Sequence, residues 1–227
     1  MKLPLSQRLL TCCTFVRPGD RVADVGCDHG YLGIHLLQTG LASSVIASDV
    51  NEKPLQSAVV NAARYGVREK MSFYLSDGVR NIPRDFDCLV CAGMGADTMI
   101  SILESAPWLK DPRYRLILQC QSKRAELRRY LAKNGFVISR ETLARDGKFI
   151  YTVMEVTYGP GTESPVWNYY ITPQLIDSGS PLFPAFLNRV IGGLEERRKG
   201  LVHIGAEPDA ELTQVLEHLH ALEGTES

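Results

Sequence analysis

The residues best placed to do chemistry are acids that end short apolar runs. Asp24 sits in Arg21-Val-Ala-Asp-Val25, Asp49 closes Ser44-Val-Ile-Ala-Ser-Asp49, and Asp77-Gly78 follows Met71-Ser-Phe-Tyr-Leu75. One acid after a strand can simply cap the next helix. Three in series, with Asp49 standing 25 residues beyond Asp24, instead outline a nucleoside pocket. There Asp49 accepts hydrogen bonds from both hydroxyls of a ribose. Asp77 receives an adenine amino group, and Val50 and Gly78 belong to the same pocket.

Between the first two acids lies Asp24-Val-Gly-Cys-Asp-His-Gly30. Gly26 and Gly30 follow a strand and precede a helix, where a ligand approaches the sheet edge. Cys27 and Asp28 share that cofactor-binding turn. A dinucleotide fingerprint needs glycine two and five positions after Gly26, but Asp28 and Tyr31 stand there. A carboxylate aimed into a pyrophosphate site repels its negative charges. S-adenosylmethionine has no phosphate and carries a positive sulfonium and ammonium, so Asp28 favours it over NAD. Asp28 and His29 are also the acid/base or positioning candidates. His29 reads equally well as a helix-entry residue bonded to backbone, and His35, on the following helix, reads as structural.

Two further strand ends complete the constellation. In Ala92-Gly-Met-Gly-Ala96, Gly93, Met94 and Gly95 let a flat or linear ligand pass close to the backbone. In Gln119-Cys-Gln-Ser122 the amides of Gln119 and Gln121 are placed to hold a base by its Watson–Crick edge, although amides at strand ends are also common without function. The Asn-Pro-Pro-Tyr type of motif found in many amino-group methyltransferases is absent.

These loops need a scaffold, and the chain alternates strand-like and helical segments as a doubly wound α/β sheet does. Strands are expected at 21–25, 44–48, 71–75, 88–92 and 115–119, and helices at 31–39, 54–65 and 123–133. The rhythm then breaks into two consecutive strand-like runs, 136–143 and 149–156, joined around Asp146-Gly147, a strong hairpin signal. By analogy of fold, an antiparallel hairpin ending a parallel sheet marks a Rossmann-like class I methyltransferase rather than a dehydrogenase. A Gly-, Pro-, Ser- and Thr-rich connector with Trp167, Tyr169 and Tyr170 follows over 159–184. Apolar residues at helical spacing, Phe186 to Leu194 and Leu212 to Leu222, then predict an α-helical hairpin turning near 205–208. The division expected is a Rossmann-like domain over 1–158, and the connector with a C-terminal helical hairpin over 159–227.

With 227 residues, 44% hydrophobic and 22% charged, the chain suits an ordinary globular protein. No apolar run approaches a membrane span, and Met1 to Arg8 shows no signal-peptide core, so a cytoplasmic protein is expected. The net charge of −1 hides an asymmetry: +5 over 1–159, −6 over 160–227, and +7 within Lys110 to Lys148. That basic stretch is either a solvated face or a grip for nucleic-acid phosphates. Its neighbour, the acidic helical hairpin, is a poor phosphate binder and reads as a packing appendage. The cysteines read as small buried thiols. Cys88 and Cys91 would point to opposite faces of one strand, and no second Cys/His cluster follows at zinc spacing, so no metal is expected.

Taken together, Ser6-Gln-Arg-Leu9, Ala23-Asp-Val-Gly-Cys-Asp-His-Gly-Tyr-Leu32, Ala92-Gly-Met-Gly95, Leu118-Gln119, Leu127-Arg128 and Asp146-Gly-Lys148 resemble the bacterial tRNA (adenine-22-N1)-methyltransferase family, TrmK. The resemblance covers roughly residues 2–158, and the helical hairpin agrees with that family's C-terminal coiled-coil domain. It implies S-adenosylmethionine-dependent methylation of N1 of an adenine in tRNA. The Asp of the family's Asp-His motif falls on Asp28, and its Gly-Met-Gly loop on Gly93 to Gly95. Two departures stand out: Gln119-Cys120-Gln121 replaces Gln-Pro-Asn, and Ala96 replaces the last glycine of Gly-Met-Gly-Gly. Cys120 gives up the rigidity of proline, and Gln121 carries its amide on a longer stem.

On this reading Asp28, His29 and Gln121 serve the reaction. Arg8, Gln119, Gln121, Lys123, Arg124, Arg128, Arg129, Lys133 and Lys148 meet the tRNA, and the protein is a monomer. Two rivals stand beside it. One is a methyltransferase for a small molecule or protein, which leaves the basic helix unexplained. The other is a silent RNA- or cofactor-binding module whose site has changed at Cys120-Gln121.

Overall fold

The structure, a computed structural model, describes residues 3–161 and 164–225. Thr162 and Glu163 of the expected connector lie outside the described residues. The first half runs α1 (Gln7–Cys13), β1 (Asp20–Val25), α2 (Tyr31–Gln38), β2 (Ala42–Asp49), α3 (Glu52–Arg64), β3 (Met71–Leu75), β4 (Cys88–Met94) and α4 (Ala96–Glu104). It continues with β5 (Arg115–Cys120), α5 (Arg124–Lys133), β6 (Phe136–Asp146), β7 (Phe149–Tyr158), α6 (Pro173–Ile176), α7 (Phe183–His203) and α8 (Ala210–Thr225).

The strands form one sheet in the order β3-β2-β1-β4-β5-β7-β6. β1 to β5 pair in parallel, and β7 runs antiparallel to both β5 and β6. Continuous apolar runs suit strands covered on both faces: every residue of β5 is buried, as are Val22 to Val25 of β1. One face packs Ala23, Val25, Leu89, Cys91, Leu116 and Leu118 under α4 and α5. The other packs Val22, Val45, Cys88, Val90 and Ile117 under α1, α2 and α3. Cys88 and Cys91 therefore face opposite layers, and all six cysteines are buried free thiols. Burial in apolar surroundings pushes the Cys91 thiol up to about 12.

A third apolar cluster joins Leu143 and Ile150 of the β6–β7 hairpin to α6, α7 and α8. Phe183, Phe186, Leu187, Ile191 and Leu194 make one buried stripe on α7, facing Leu212, Val215, Leu216 and Leu219 of α8. The helical hairpin expected from the apolar spacing is present, with the turn after His203. Among the described residues no helix is long and apolar enough to cross a membrane.

Three helices have no counterpart among the expected elements: α1, α4 and the short α6 inside the expected connector. α1 carries Cys12 and Cys13 against the sheet, and α4 follows directly on Gly95 and buries Met99, Ile102 and Leu103. Strands β2, β4 and β6 also run longer than expected, because ladder pairing extends to Asp49, Met94 and Asp146 at their ends.

Candidate functional site

Parallel pairing places the carboxyl ends of β2, β1, β4 and β5 side by side, and the loops after them meet there. The turn after β1 is built by backbone. Gly26 and Cys27 both donate to the Ser48 carbonyl on β2, at 2.8 and 2.9 Å, and Gly30 donates to the Cys27 carbonyl. Gly26 (φ +71°) and Gly30 (φ +73°) take left-handed backbone open to glycine at little cost. Asp28 does so too, at φ +51°, a conformation that short polar side chains tolerate best after glycine.

That strained turn brings the Asp28 N–H to Asp49, whose Oδ2 accepts it at 3.1 Å, while Asp49 Oδ1 accepts the Asn51 N–H at 2.8 Å. Each Asp49 oxygen keeps a lone pair for a further donor. The Asp49 residue is only 8% exposed, so its carboxylate is oriented and nearly dry. The Asp28 side chain itself is exposed, with His29 Nε2 3.6 Å from its Oδ1. The His29 carbonyl accepts from the Asn61 amide at 3.0 Å, which pins the entry to α2 through backbone and leaves the imidazole in solvent.

Asp24 is buried beneath the turn, and its Oδ2 has no hydrogen-bond partner among the described residues. Burial raises its pKa from 3.8 to about 7; a hydrogen bond from the Gly33 backbone opposes that, and the Asp49 charge adds to it. Asp77 is exposed and pairs with Arg80 at 3.3 Å. Gly78 packs instead, since a Cβ there would lie 2.8 Å from Ile102 Cγ1. Val50 is 63% exposed beside Asp49.

The loops after β4 and β5 are zipped together. Gln121 N–H donates to the Met94 carbonyl at 2.8 Å, Ala96 N–H donates to the Ser122 carbonyl at 3.2 Å, and a Cβ on Gly95 would lie 2.9 Å from Ser122 Oγ. Met94 reaches back over the β1 turn, where a Cβ on Gly26 would collide with its terminal methyl. Gly26 thus gives Met94 its place, and the β1 and β4 loops form one wall.

Gln119 departs from expectation. It is fully buried, and its Oε1 accepts from Arg8 Nη1 at 2.9 Å, Gly93 N–H at 3.0 Å and Gln121 Nε2 at 3.3 Å. With its acceptor saturated and no surface, it cannot read a base edge; it ties α1 to the loops after β4 and β5. Arg8 spans from this hub to Asp146 on the β6–β7 hairpin, with Nε 3.5 Å from the carboxylate. Asp146 is a site residue that sequence reasoning did not assign, because its partner lies 138 positions away.

The basic helix is the second correction. Arg128 is 2% exposed, and its guanidinium is consumed by Glu141 and the carbonyls of Tyr169 and Tyr170. It therefore cannot grip a phosphate. Arg129 pairs with Glu211 of α8 and lies over the Tyr169 ring. Arg124 lies 5.2 Å from the centre of the Phe186 ring, and its pKa is lowered by burial and by Arg128. Lys133 closes α5 at the end remote from the site, nine residues or about 14 Å of helix beyond Arg124. Within the +7 stretch, Arg129 thus pairs with the acidic helical hairpin and Arg124 lies over its Phe186, while Arg128 pairs with Glu141 of β6. Exposed cations near the site include Lys123, which pairs with Asp97 at 2.7 Å, Arg80 beside Asp77, and Arg145 and Lys148 on the β6–β7 hairpin.

S-adenosylmethionine, expected from the sequence, fits this donor set. The unpartnered Asp24 oxygen, the oriented Asp49 and the exposed Asp28 supply acid where that cofactor carries cationic and hydroxyl groups, and the glycines keep the approach open. Among the described residues no group of His, Cys, Asp and Glu is placed to hold a metal ion.

Comparison with known proteins bears on this arrangement. A family model described as a methyltransferase domain matches residues 5–154. A tRNA (adenine(22)-N(1))-methyltransferase of Bacillus subtilis is 29% identical over 159 residues, 70% of this chain and 67% of the relative. A candidate tRNA methyltransferase of Mycoplasma genitalium is 32% identical over 138 residues, 60% of this chain; the match spans only 61% of that relative's length. The crystal structure of a Streptococcus pneumoniae protein, named as a candidate tRNA (m1A22) methyltransferase in complex with S-adenosyl-L-methionine, superposes with a TM-score of 0.83 at 28% identity. That superposition covers 96% of this chain and 99% of that one.

Proposed function

The chain belongs to the methyltransferase-domain family that its residues 5–154 match, and on that premise we propose that it transfers a methyl group from S-adenosyl-L-methionine to N1 of adenine 22 in tRNA. The observation that carries the reading is the ring of loops after β1, β2, β4 and β5: an oriented, nearly dry Asp49, a glycine turn and, under it, a buried Asp24 whose Oδ2 has no partner among the described residues. The choice of tRNA and of adenine 22 draws on the names of the Bacillus subtilis and Streptococcus pneumoniae relatives and on whole-length likeness to the latter.

When bound, the cofactor supplies a methyl group already activated on a sulfonium. Everything else falls to residues of this chain. Asp49 holds the ribose hydroxyls, Asp77 and Val50 flank the adenine end, and Asp24, Gly26, Cys27, Asp28 and Gly30 enclose the amino-acid end. Gly93, Met94 and Gly95 form the opposite wall. N1 of adenine offers an in-plane lone pair, so the protein's task is alignment, with reacting atoms about 3 Å apart. Gln121 Nε2 donates to Gln119, so its Oε1 is the acceptor that orients the base, while Gln119 is committed to Arg8 and Gly93. Asp28 faces solvent at the mouth, where its carboxylate stabilises the positive charge that the product adenine acquires. N1 lies inside the base stack of an RNA helix, so the base leaves the stack to react.

We read residues 1–158 as the catalytic domain and 159–227 as the connector and helical domain of a monomeric, cytoplasmic RNA-binding enzyme. The test is turnover beside affinity. Wild type transfers labelled methyl to unmodified tRNA, and Asp28→Ala loses turnover while retaining tRNA affinity. Transfer to a small metabolite and none to tRNA sinks the proposal. No turnover by wild type leaves a binding module instead.

A further inference from the structure

The β6–β7 hairpin outruns the strand beside it. Pairing between β5 and β7 ends with Leu118 opposite Met154, whereas β6 and β7 continue to Asp146 opposite Phe149. Continued in register, Cys120 would face residue 152, so Phe149 projects three residues, about 10 Å, past the end of β5. β7 is antiparallel to β5, so this overhang stands at the carboxyl end of the sheet, with the Gly93 loop and Gln121. Arg8 fixes the relation, reaching Asp146 on one side and Gln119 on the other.

The surface of the overhang exceeds what a turn requires. Asp146-Gly147 suffices to reverse the chain, yet Phe149 is 49% exposed. Tyr151, two positions on and thus on the same face of the strand, has its ring centroid 6.0 Å from that of Phe149. Lys148 Nζ lies 5.3 Å from the Phe149 ring centre, and Arg145 is exposed on the same hairpin. The tip is also braced: Arg189 of α7 donates to the Lys148 carbonyl at 3.1 Å.

We propose that this tip is a nucleobase-stacking site for the RNA substrate, with Phe149 stacked on a base next to the target adenine, Tyr151 behind it, and Lys148 on the adjoining phosphate. Aromatic rings interleaved with cations match a strand whose base faces are apolar and whose backbone is anionic. A base leaving its helix strips its neighbour of a stacking partner, and an exposed ring beside the pocket replaces it. The inference rests on the tRNA reading above, and Phe149 acts as a positioning residue rather than at the reacting atoms.

The test uses the full chain and a tRNA transcript carrying 2-aminopurine beside adenine 22. Wild type quenches the fluorophore on binding. Phe149→Leu keeps apolar bulk without a π-face, so it folds with an unchanged melting temperature and S-adenosylmethionine affinity. It loses the quench and lowers kcat/KM by roughly 5- to 150-fold, the range of one base–aromatic stack. Phe149→Trp restores both, which a merely structural role would not require. Lys148→Ala lowers the salt slope of binding by about 1. A Leu variant that quenches and turns over like wild type overturns the proposal. Wild type that quenches but transfers no methyl leaves the stacking site standing and overturns the proposed reaction. Absence of binding overturns both.

Discussion

Replacing Glu141 by Gln tests how the two ends of the chain are joined. Glu141 and Arg128 have side chains 0% and 2% exposed, with Arg128 Nη2 2.5 Å from Glu141 Oε1. Thr172 Oγ1 donates to Glu141 Oε2 at 2.5 Å, and Arg128 Nη1 donates to the carbonyls of Tyr169 and Tyr170 at 3.1 and 2.8 Å. Strand β6, helix α5 and the segment before α6 therefore meet at one dry ion pair. Gln keeps the shape and the tie to Thr172 but leaves a buried guanidinium without its counter-charge. Breaking such a pair costs about 3–5 kcal/mol. The two remaining carbonyls still bond Arg128, which places the loss near the lower end, about 3 kcal/mol. Arg128→Met also strands both carbonyls and the Glu141 carboxylate, and costs more. Because both variants break the same pair, the double variant Arg128→Met/Glu141→Gln destabilises by at least about 2 kcal/mol less than their sum. Urea unfolding followed by circular dichroism gives these values. Trp167, stacked on His218 of α8 at 4.3 Å, reports separately whether the helical hairpin detaches first. A loss below about 1 kcal/mol for Glu141→Gln, or additive single variants, would refute the lock.

Three further outcomes follow from the site. Asp49→Ala removes the acceptor held by two backbone N–H groups; at about 1.5–3 kcal/mol per charged hydrogen bond, S-adenosylmethionine affinity measured by calorimetry falls at least tenfold, while tRNA affinity holds. Asp24, raised from 3.8 to about 7, binds a proton in the folded chain that the unfolded chain releases. Its contribution to stability is full below about pH 4 and is lost as pH rises through 7, a swing of at most about 4 kcal/mol. Asp24→Asn lacks this term, so the wild-type advantage in denaturation midpoint shrinks between pH 4 and 8; a constant difference contradicts the burial argument. Gly26→Ala meets both a left-handed backbone, worth about 1–2 kcal/mol, and the Met94 methyl. It lowers both the melting temperature and cofactor affinity, and unchanged values would show the β1 turn to be looser than drawn.

What the sequence disclosed depended on how local each signal was. The strands from Arg21 to Val25 and Met71 to Leu75, the glycine turn and the Asp146-Gly147 hairpin are short-range patterns, and each appears where its periodicity or turn chemistry places it. The charge asymmetry was also local, yet its meaning was not. Arg128 and Arg129 carry the right charge for phosphate, but only the fold shows them spent on Glu141 and Glu211. Gln119 shows the same limit: a strand-end amide looks free until Arg8, 111 positions away, arrives at its oxygen. α1 escaped notice because it is short, with no side-chain cap and no acid in its first turn. The −1 net charge arises from two opposed surfaces, partly paired with each other inside one molecule.

The most direct test of the central claim is position-resolved methyl transfer. Purified protein is incubated with unmodified tRNA transcripts and labelled S-adenosylmethionine, and reverse-transcription stops locate the product. Label is expected in tRNA with one new stop at adenine 22, abolished when that adenine is replaced by guanine. Label at another atom or nucleotide, or in a protein or small molecule with none in tRNA, contradicts the claim.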